Sequence, residues 1–128
     1  MIHDENILNK DTIIVSETDA SGKIVYVNND FCNIAKFTKS ELIGKSHSIV
    51  RHLDMPKSAF KNLWSVIKEG KTWKGVVKNK TKTGDYYWVH ATIYPSRTPN
   101  GEIKYFSVRV KPTKDEILNA QKLYKTLD

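Results

Sequence analysis

Only one cysteine occurs in the 128 residues, Cys32, so no disulfide can form within the chain. Long apolar runs are also missing: nothing approaches the roughly 20 residues that a helix needs to cross a bilayer. The N-terminus Met1-Ile2-His3-Asp4-Glu5 has no basic region followed by an apolar one, so no signal peptide is expected. His3, His47, His52 and His90 fall at no metal-binding spacing. Gly-x-Gly-x-x-Gly does not occur, which excludes a Rossmann dinucleotide site. Gly44-Lys45-Ser46 imitates the end of a phosphate-binding loop, but the position of the upstream glycine is Lys39. No helix-turn-helix or zinc-finger spacing is visible, so nucleic acid is not an expected partner. No nucleophile–base pair is suggested by spacing, and the chain does not read as an enzyme. These absences lead to the expectation of a cytoplasmic protein, at the inner face of a membrane only through a partner.

What is present is ordinary for a folded domain. Hydrophobic residues make up 39% and charged residues 27%, enough apolar material for one core and not two. The net charge is +7, and basic residues cluster at Lys71, Lys74, Lys78, Lys80 and Lys82. Four of these are even-numbered and would share one face of a strand. A solvated sheet face, a guarded edge strand and a surface for an acidic protein all account for that spacing.

Hydrophobic periodicity predicts the elements. Thr12–Ser16 and Lys23–Val27 are β-rich and separated by the turn Asp19-Ala20-Ser21-Gly22, which makes a hairpin. Asn28 or Asn29 can cap a short helix carrying Phe31, Ile34 and Ala35, and Thr38 can cap another that Gly44 ends. The longest helix is predicted from about Met55 to Glu69, with Ala59, Phe60, Leu63, Trp64 and Ile67 on one face. Three strands follow, Trp73–Lys80, Asp85–Pro95 and Glu102–Val110. Their turns are Thr81-Lys82-Thr83-Gly84 and Pro99-Asn100-Gly101. After Pro112, Thr113–Leu127 reads as an exit helix. The expected class is α+β: a five-stranded antiparallel sheet with short helices and one longer helix across one face. Residues 1–10 are expected as a polar lead of one helical turn, 11–111 as the body, and 112–128 as the C-terminal helix.

Two regions carry chemistry. Arg51-His52-Leu53-Asp54-Met55-Pro56 places a fixed cation, a titratable ring and a carboxylate just before the long helix, where its positive end favours anions. Arg51 suits a diphosphate, or is an exposed loop residue. Asp54 caps the helix, orients Arg51 or meets a ligand. In the third strand, alternation puts Trp73, Gly75, Val77 and Asn79 on the face toward the helices. A buried Asn79 amide needs partners, which a ligand or its own hairpin could supply. Phe60 and Trp64, four residues apart, form either core packing or a cofactor wall.

Together with Val25-Tyr26-Val27-Asn28-Asn29-Asp30-Phe31, Glu41-Leu42-Ile43-Gly44-Lys45, Trp73-Lys74-Gly75-Val76-Val77-Lys78-Asn79 and Gly84-Asp85-Tyr86-Tyr87-Trp88-Val89, these segments resemble the FAD-binding PAS domain of bacterial aerotaxis (energy-taxis) receptors. The resemblance covers roughly residues 10–127. The family commonly has Pro where this chain has Leu53, and more Arg in the loop that is here Asn79-Lys80-Thr81-Lys82-Thr83. The resemblance implies a redox or oxygen sensor with noncovalent FAD. It implies flavin contacts at Asn28, Arg51, His52, Asp54, Phe60, Trp64, Trp73 and Asn79, and a signalling role for the C-terminal helix. The partner would be a chemotaxis transducer or a similar signalling protein. Cys32 is outside the Asn-Cys-Arg motif of LOV photoreceptors, so no cysteinyl–flavin adduct is expected. Two alternatives stand beside this reading: a haem-binding PAS gas sensor using His52 or His47, and a ligand-free PAS interaction module. Tyr86, Trp88 and Tyr94 would crowd the outer sheet face, which the lead, a second copy or a partner is expected to cover.

Overall fold

A computed structural model describes residues 3–127. The five predicted strands form one antiparallel sheet: β1 (Ile14–Asp19), β2 (Ile24–Val27), β3 (Trp73–Lys80), β4 (Tyr86–Arg97) and β5 (Ile103–Val110), in the order β2-β1-β5-β4-β3. The hairpins pair as local turn chemistry dictates, with Gly22, Gly84 and Gly101 at positive φ in the turns. Closure comes from β1 against β5, which runs from Ile14 opposite Arg109 to Asp19 opposite Lys104. That pairing extends β1 three residues beyond the predicted end at Ser16.

Between β2 and β3 lie α1 (Asn29–Ala35), α2 (Lys39–Leu42), a 3-10 turn at His47–Val50 and α3 (Lys57–Lys68). Asn28 caps α1, and Thr38 with Glu41 forms a reciprocal capping box on α2. Lys82 reaches back to Glu41, and its ammonium pulls that carboxyl down to about 2. The 3-10 turn was not predicted. The start of α3 also differs from expectation: Pro56 is its N-cap, with no side-chain cap. Asp54 does not cap it, because its carboxylate accepts instead from Lys78 Nζ at 2.8 Å. The buried face of α3 is Ala59, Leu63 and Ile67. These pack with Phe31, Leu42, Val77, Val89 and Ile93 in one core between helices and sheet.

Among the described residues of the lead, 3–10, there is no helix. The lead runs beside the start of β4, where Asn6 N–H donates to the Tyr86 carbonyl (2.7 Å) and Tyr86 N–H to the Asp4 carbonyl (3.0 Å). On the outer sheet face Trp88 is 7% exposed, with Lys78 Nζ 5.9 Å from its ring, so this chain itself covers the centre of that face. Tyr94 remains 37% exposed and stacks on Phe106. The exit helix, α4 (Lys114–Lys125), opens with a Thr113–Glu116 capping box. It docks on the edge strand: Tyr124 Oη donates to the Val76 carbonyl at 2.5 Å. The edge that β3 would otherwise present is thereby guarded. Leu118 and Leu123 on α4 stay exposed. Among the described residues no helix is long and apolar enough to cross a membrane.

Gly75 answers a packing need inside this frame. A Cβ there would run into the Trp73 ring, so a planar ring does approach this backbone, and it is the chain's own indole. Gly75→Val is expected to cost about 1–3 kcal/mol by displacing Trp73, read as a lower urea midpoint.

Candidate functional site

The sheet, α3 and the 3-10 turn line a cavity of about 280 Å³. Its apolar lining is Phe60, Leu63, Trp64 and Ile67 from α3, with Val77, Ala91, Ile93 and Tyr105 from the sheet. Phe60 and Trp64 stand on one helix face because they are four residues apart. Trp64 is fixed edge-on to Tyr105, with ring centroids 5.5 Å apart. Gly22 lets the indole come close, since a Cβ at that position would be 3.1 Å from it.

Arg51 is brought to this cavity by the backbone. An antiparallel bridge joins Arg51 to Asn79 at the end of β3, and the guanidinium lies 4.4 Å from the Phe60 ring centroid. Asn79 lines the cavity at 4% exposure. Its Oδ1 has no hydrogen-bond partner, and Nδ2 reaches only the adjacent Lys78 carbonyl at 3.5 Å. The hairpin therefore leaves this amide unsatisfied.

The sheet contributes a polar patch that sequence reasoning missed. Ser16, Ser107 and Arg109 point inward from β1 and β5, where Ser16 pairs with Ser107. Arg109 Nη1 lies 3.1 Å from His47 Nε2, and Ser16 Oγ lies 3.0 Å from the same nitrogen. A guanidinium has no acceptor, so it donates and the imidazole nitrogen accepts. His47 is thus neutral there. Burial first, and Arg109 second, hold its pKa well below the usual histidine value. Burial also brings Arg109 down to about 10, which leaves it charged near neutral pH. The same cause raises the Tyr87 hydroxyl beside it. Ser107 Oγ and Arg109 Nε lack partners, as Asn79 Oδ1 does, and all three residues line the one cavity. The signal for this patch was parity: Tyr105, Ser107 and Arg109 alternate inward along β5.

His47 gives a pH prediction. The unfolded chain binds a proton near the ordinary histidine value, about 6.5, which the folded chain refuses until lower pH. Stability is therefore full above that value and falls as pH drops below it, by up to about 1.4 kcal/mol per pH unit. His52, also depressed by burial and then by Lys78, adds a lesser share. Urea unfolding of His47→Gln against the parent at pH 5 and 7.5 should show a shallower acid loss in the variant.

Of the eight residues expected at the site, Arg51, Phe60, Trp64 and Asn79 come together around the cavity. Four lie elsewhere. The Asn28 side chain is committed to structure: Oδ1 accepts from the N–H of Val15 (3.0 Å) and Phe31 (3.1 Å), and Nδ2 donates to the Ile13 carbonyl (2.7 Å). His52 sits edge-on to Tyr86, and its Nδ1 accepts from Asp54 N–H at 3.0 Å. Asp54 is exposed and paired with Lys78. Trp73 lies between β3 and α3, where Nε1 donates to Asn62 Oδ1 at 3.0 Å. Of the two histidines considered for iron, His47 reaches the cavity and its Nε2 faces Arg109.

Comparison with known proteins fits this architecture. A family model described as the PAS fold matches residues 24–110, which is β2 through β5. The aerotaxis receptor of Escherichia coli (strain K12) is 41% identical over 118 residues, 92% of this chain and 23% of that receptor. The nitrogen fixation regulatory protein of Klebsiella oxytoca is 24% identical over 95 residues, 74% of this chain and 19% of that protein. The chain thus spans less than a quarter of either relative's length. Among solved structures, the light state of the blue-light photoreceptor Aureochrome1 LOV aligns with a TM-score of 0.75 at 18% identity, covering 88% of this chain and 91% of that one, a likeness of fold. With its sheet order, α3 packed against the sheet and a family model that spans four of its five strands, the chain belongs to the PAS-fold family.

Proposed function

We propose that this PAS domain is a redox or oxygen-status sensor that holds FAD noncovalently and passes the flavin's state to a signalling partner. The observation that carries the reading is the meeting of three unpaired buried polar atoms, Asn79 Oδ1, Ser107 Oγ and Arg109 Nε, in one aromatic-walled cavity. Leaving such groups unsatisfied costs about 1–3 kcal/mol each. A flat ring system with N–H and carbonyl groups at its rim would satisfy them between apolar faces. The residues present fit an isoalloxazine in that respect. The cavity, about 280 Å³, is below the ~300–1,000 Å³ of sites that bury whole ligands. It has room for the ring, and Arg51 at its margin suits the diphosphate that would lie outside.

The similarity to an aerotaxis receptor supports the sensor reading, and that relative's name supports a chemotaxis transducer or similar signalling protein as the partner. When bound, the flavin supplies reversible electron uptake. The chain's own part is to orient the ring with Asn79, exclude water with Phe60 and Trp64, and carry a change in the sheet to α4 through the Tyr124–Val76 contact. Titrating the protein with FAD, FMN and adenosine diphosphate, with tryptophan fluorescence as the readout, tests this. Saturable quenching by FAD, weaker binding of FMN and none by the diphosphate alone are expected. No response to FAD would refute the reading.

A further inference from the structure

Arg109 is buried at 6% exposure, and among the described residues no carboxylate pairs with it. Its neighbours are neutral: His47 accepts from Nη1, Tyr87 keeps its proton, and Ser107 stands two residues before it on the same strand face. Burying a cation without a counter-charge carries a desolvation penalty of several kcal/mol. Burying it in the floor of a ligand cavity, with Nε left open, makes sense where the ligand brings the negative charge.

We propose that Arg109, held by His47, is the residue by which the cavity distinguishes the reduced ring from the oxidised one. This deepens the flavin reading and rests on it. The oxidised isoalloxazine is neutral. Two electrons from a dissolved reductant and one proton from water convert it to a monoanion, and a second proton is needed to neutralise it. An unpaired guanidinium favours the monoanion and makes the second proton harder to add, because a charge-assisted hydrogen bond is roughly twice as strong as a neutral one. His47, a neutral acceptor, steers the guanidinium without cancelling its charge. By linkage, a site that binds the reduced ring more tightly raises its midpoint potential.

The test measures FAD affinity of the whole chain in air and, anaerobically, in excess dithionite, for the parent, Arg109→Met and Arg109→Lys. The ratio of oxidised to reduced Kd should fall at least about tenfold in Arg109→Met, equal to about 30 mV for a two-electron couple. Arg109→Lys, which keeps the charge, should retain most of the ratio. Ligand-free Arg109→Met should unfold at a urea concentration no lower than the parent, since it loses an uncompensated buried charge. An unchanged ratio in a protein that binds flavin overturns this inference alone. So does a destabilised Arg109→Met that loses both affinities equally, the mark of a packing role. A parent that binds neither redox form overturns the flavin reading and this inference with it. Arg109→Gln carries the same comparison if the methionine variant does not fold.

Discussion

Asn79→Ala is expected to weaken FAD binding by about 10- to 100-fold while leaving the ligand-free protein at least as stable as the parent. The two effects separate because of how the amide is placed. Asn79 is almost fully buried, yet its Oδ1 meets nothing and its Nδ2 bond is marginal. Removing it from the empty protein gives up little and relieves an unsatisfied polar group. Removing it from the complex leaves polar groups on the ligand without their partners, about 1–3 kcal/mol. Affinity from fluorescence titration and urea midpoints without ligand check both halves. A variant that loses stability but not affinity would show that Asn79 only ties down its hairpin.

Trp64→Ala should fail differently, losing stability and ligand together. The indole packs on Tyr105, fills the space above Gly22 and forms a cavity wall. Truncating a large aromatic typically costs 3–5 kcal/mol when it is fully buried. Trp64 is half-buried, so a loss of about 2–4 kcal/mol is expected. The opened wall should release flavin faster, with a loss in affinity larger than that of Trp64→Phe. Urea unfolding and stopped-flow release measure the two losses. Full affinity in Trp64→Ala would place the ligand away from α3.

The sheet was legible because its turns are local. Asn100-Gly101 and Thr83-Gly84 mark hairpins by their own chemistry, and period two set which side chains of β3 face inward. The end of β1 lies three residues beyond the predicted one because Glu17 and Thr18 pair with both β2 and β5, and Asp19 with β5, although their polar side chains resemble a turn. The same division holds at the site. Phe60 and Trp64 were legible from helical spacing, and Asn79 from strand parity. Asn28 and Asp54 were not separable by type alone, since the same side chains cap helices, pair with lysines or bind ligands. Tertiary position decided, giving Asn28 to α1 and β1, and Asp54 to Lys78. Arg109 escaped notice because an arginine near a strand end is ordinarily exposed. Its inward parity with Ser107 was the available clue. His47 sits on a 3-10 turn with no periodic pattern to announce it.

The most direct measurement of the central claim is the visible spectrum of the purified protein, taken before and after dithionite, with the pigment then released by heat and identified. The account predicts a flavin spectrum that bleaches on reduction and FAD in the supernatant. A colourless protein that takes up no added FAD would contradict it, and so would a Soret band, which would mark haem against His47 or His52.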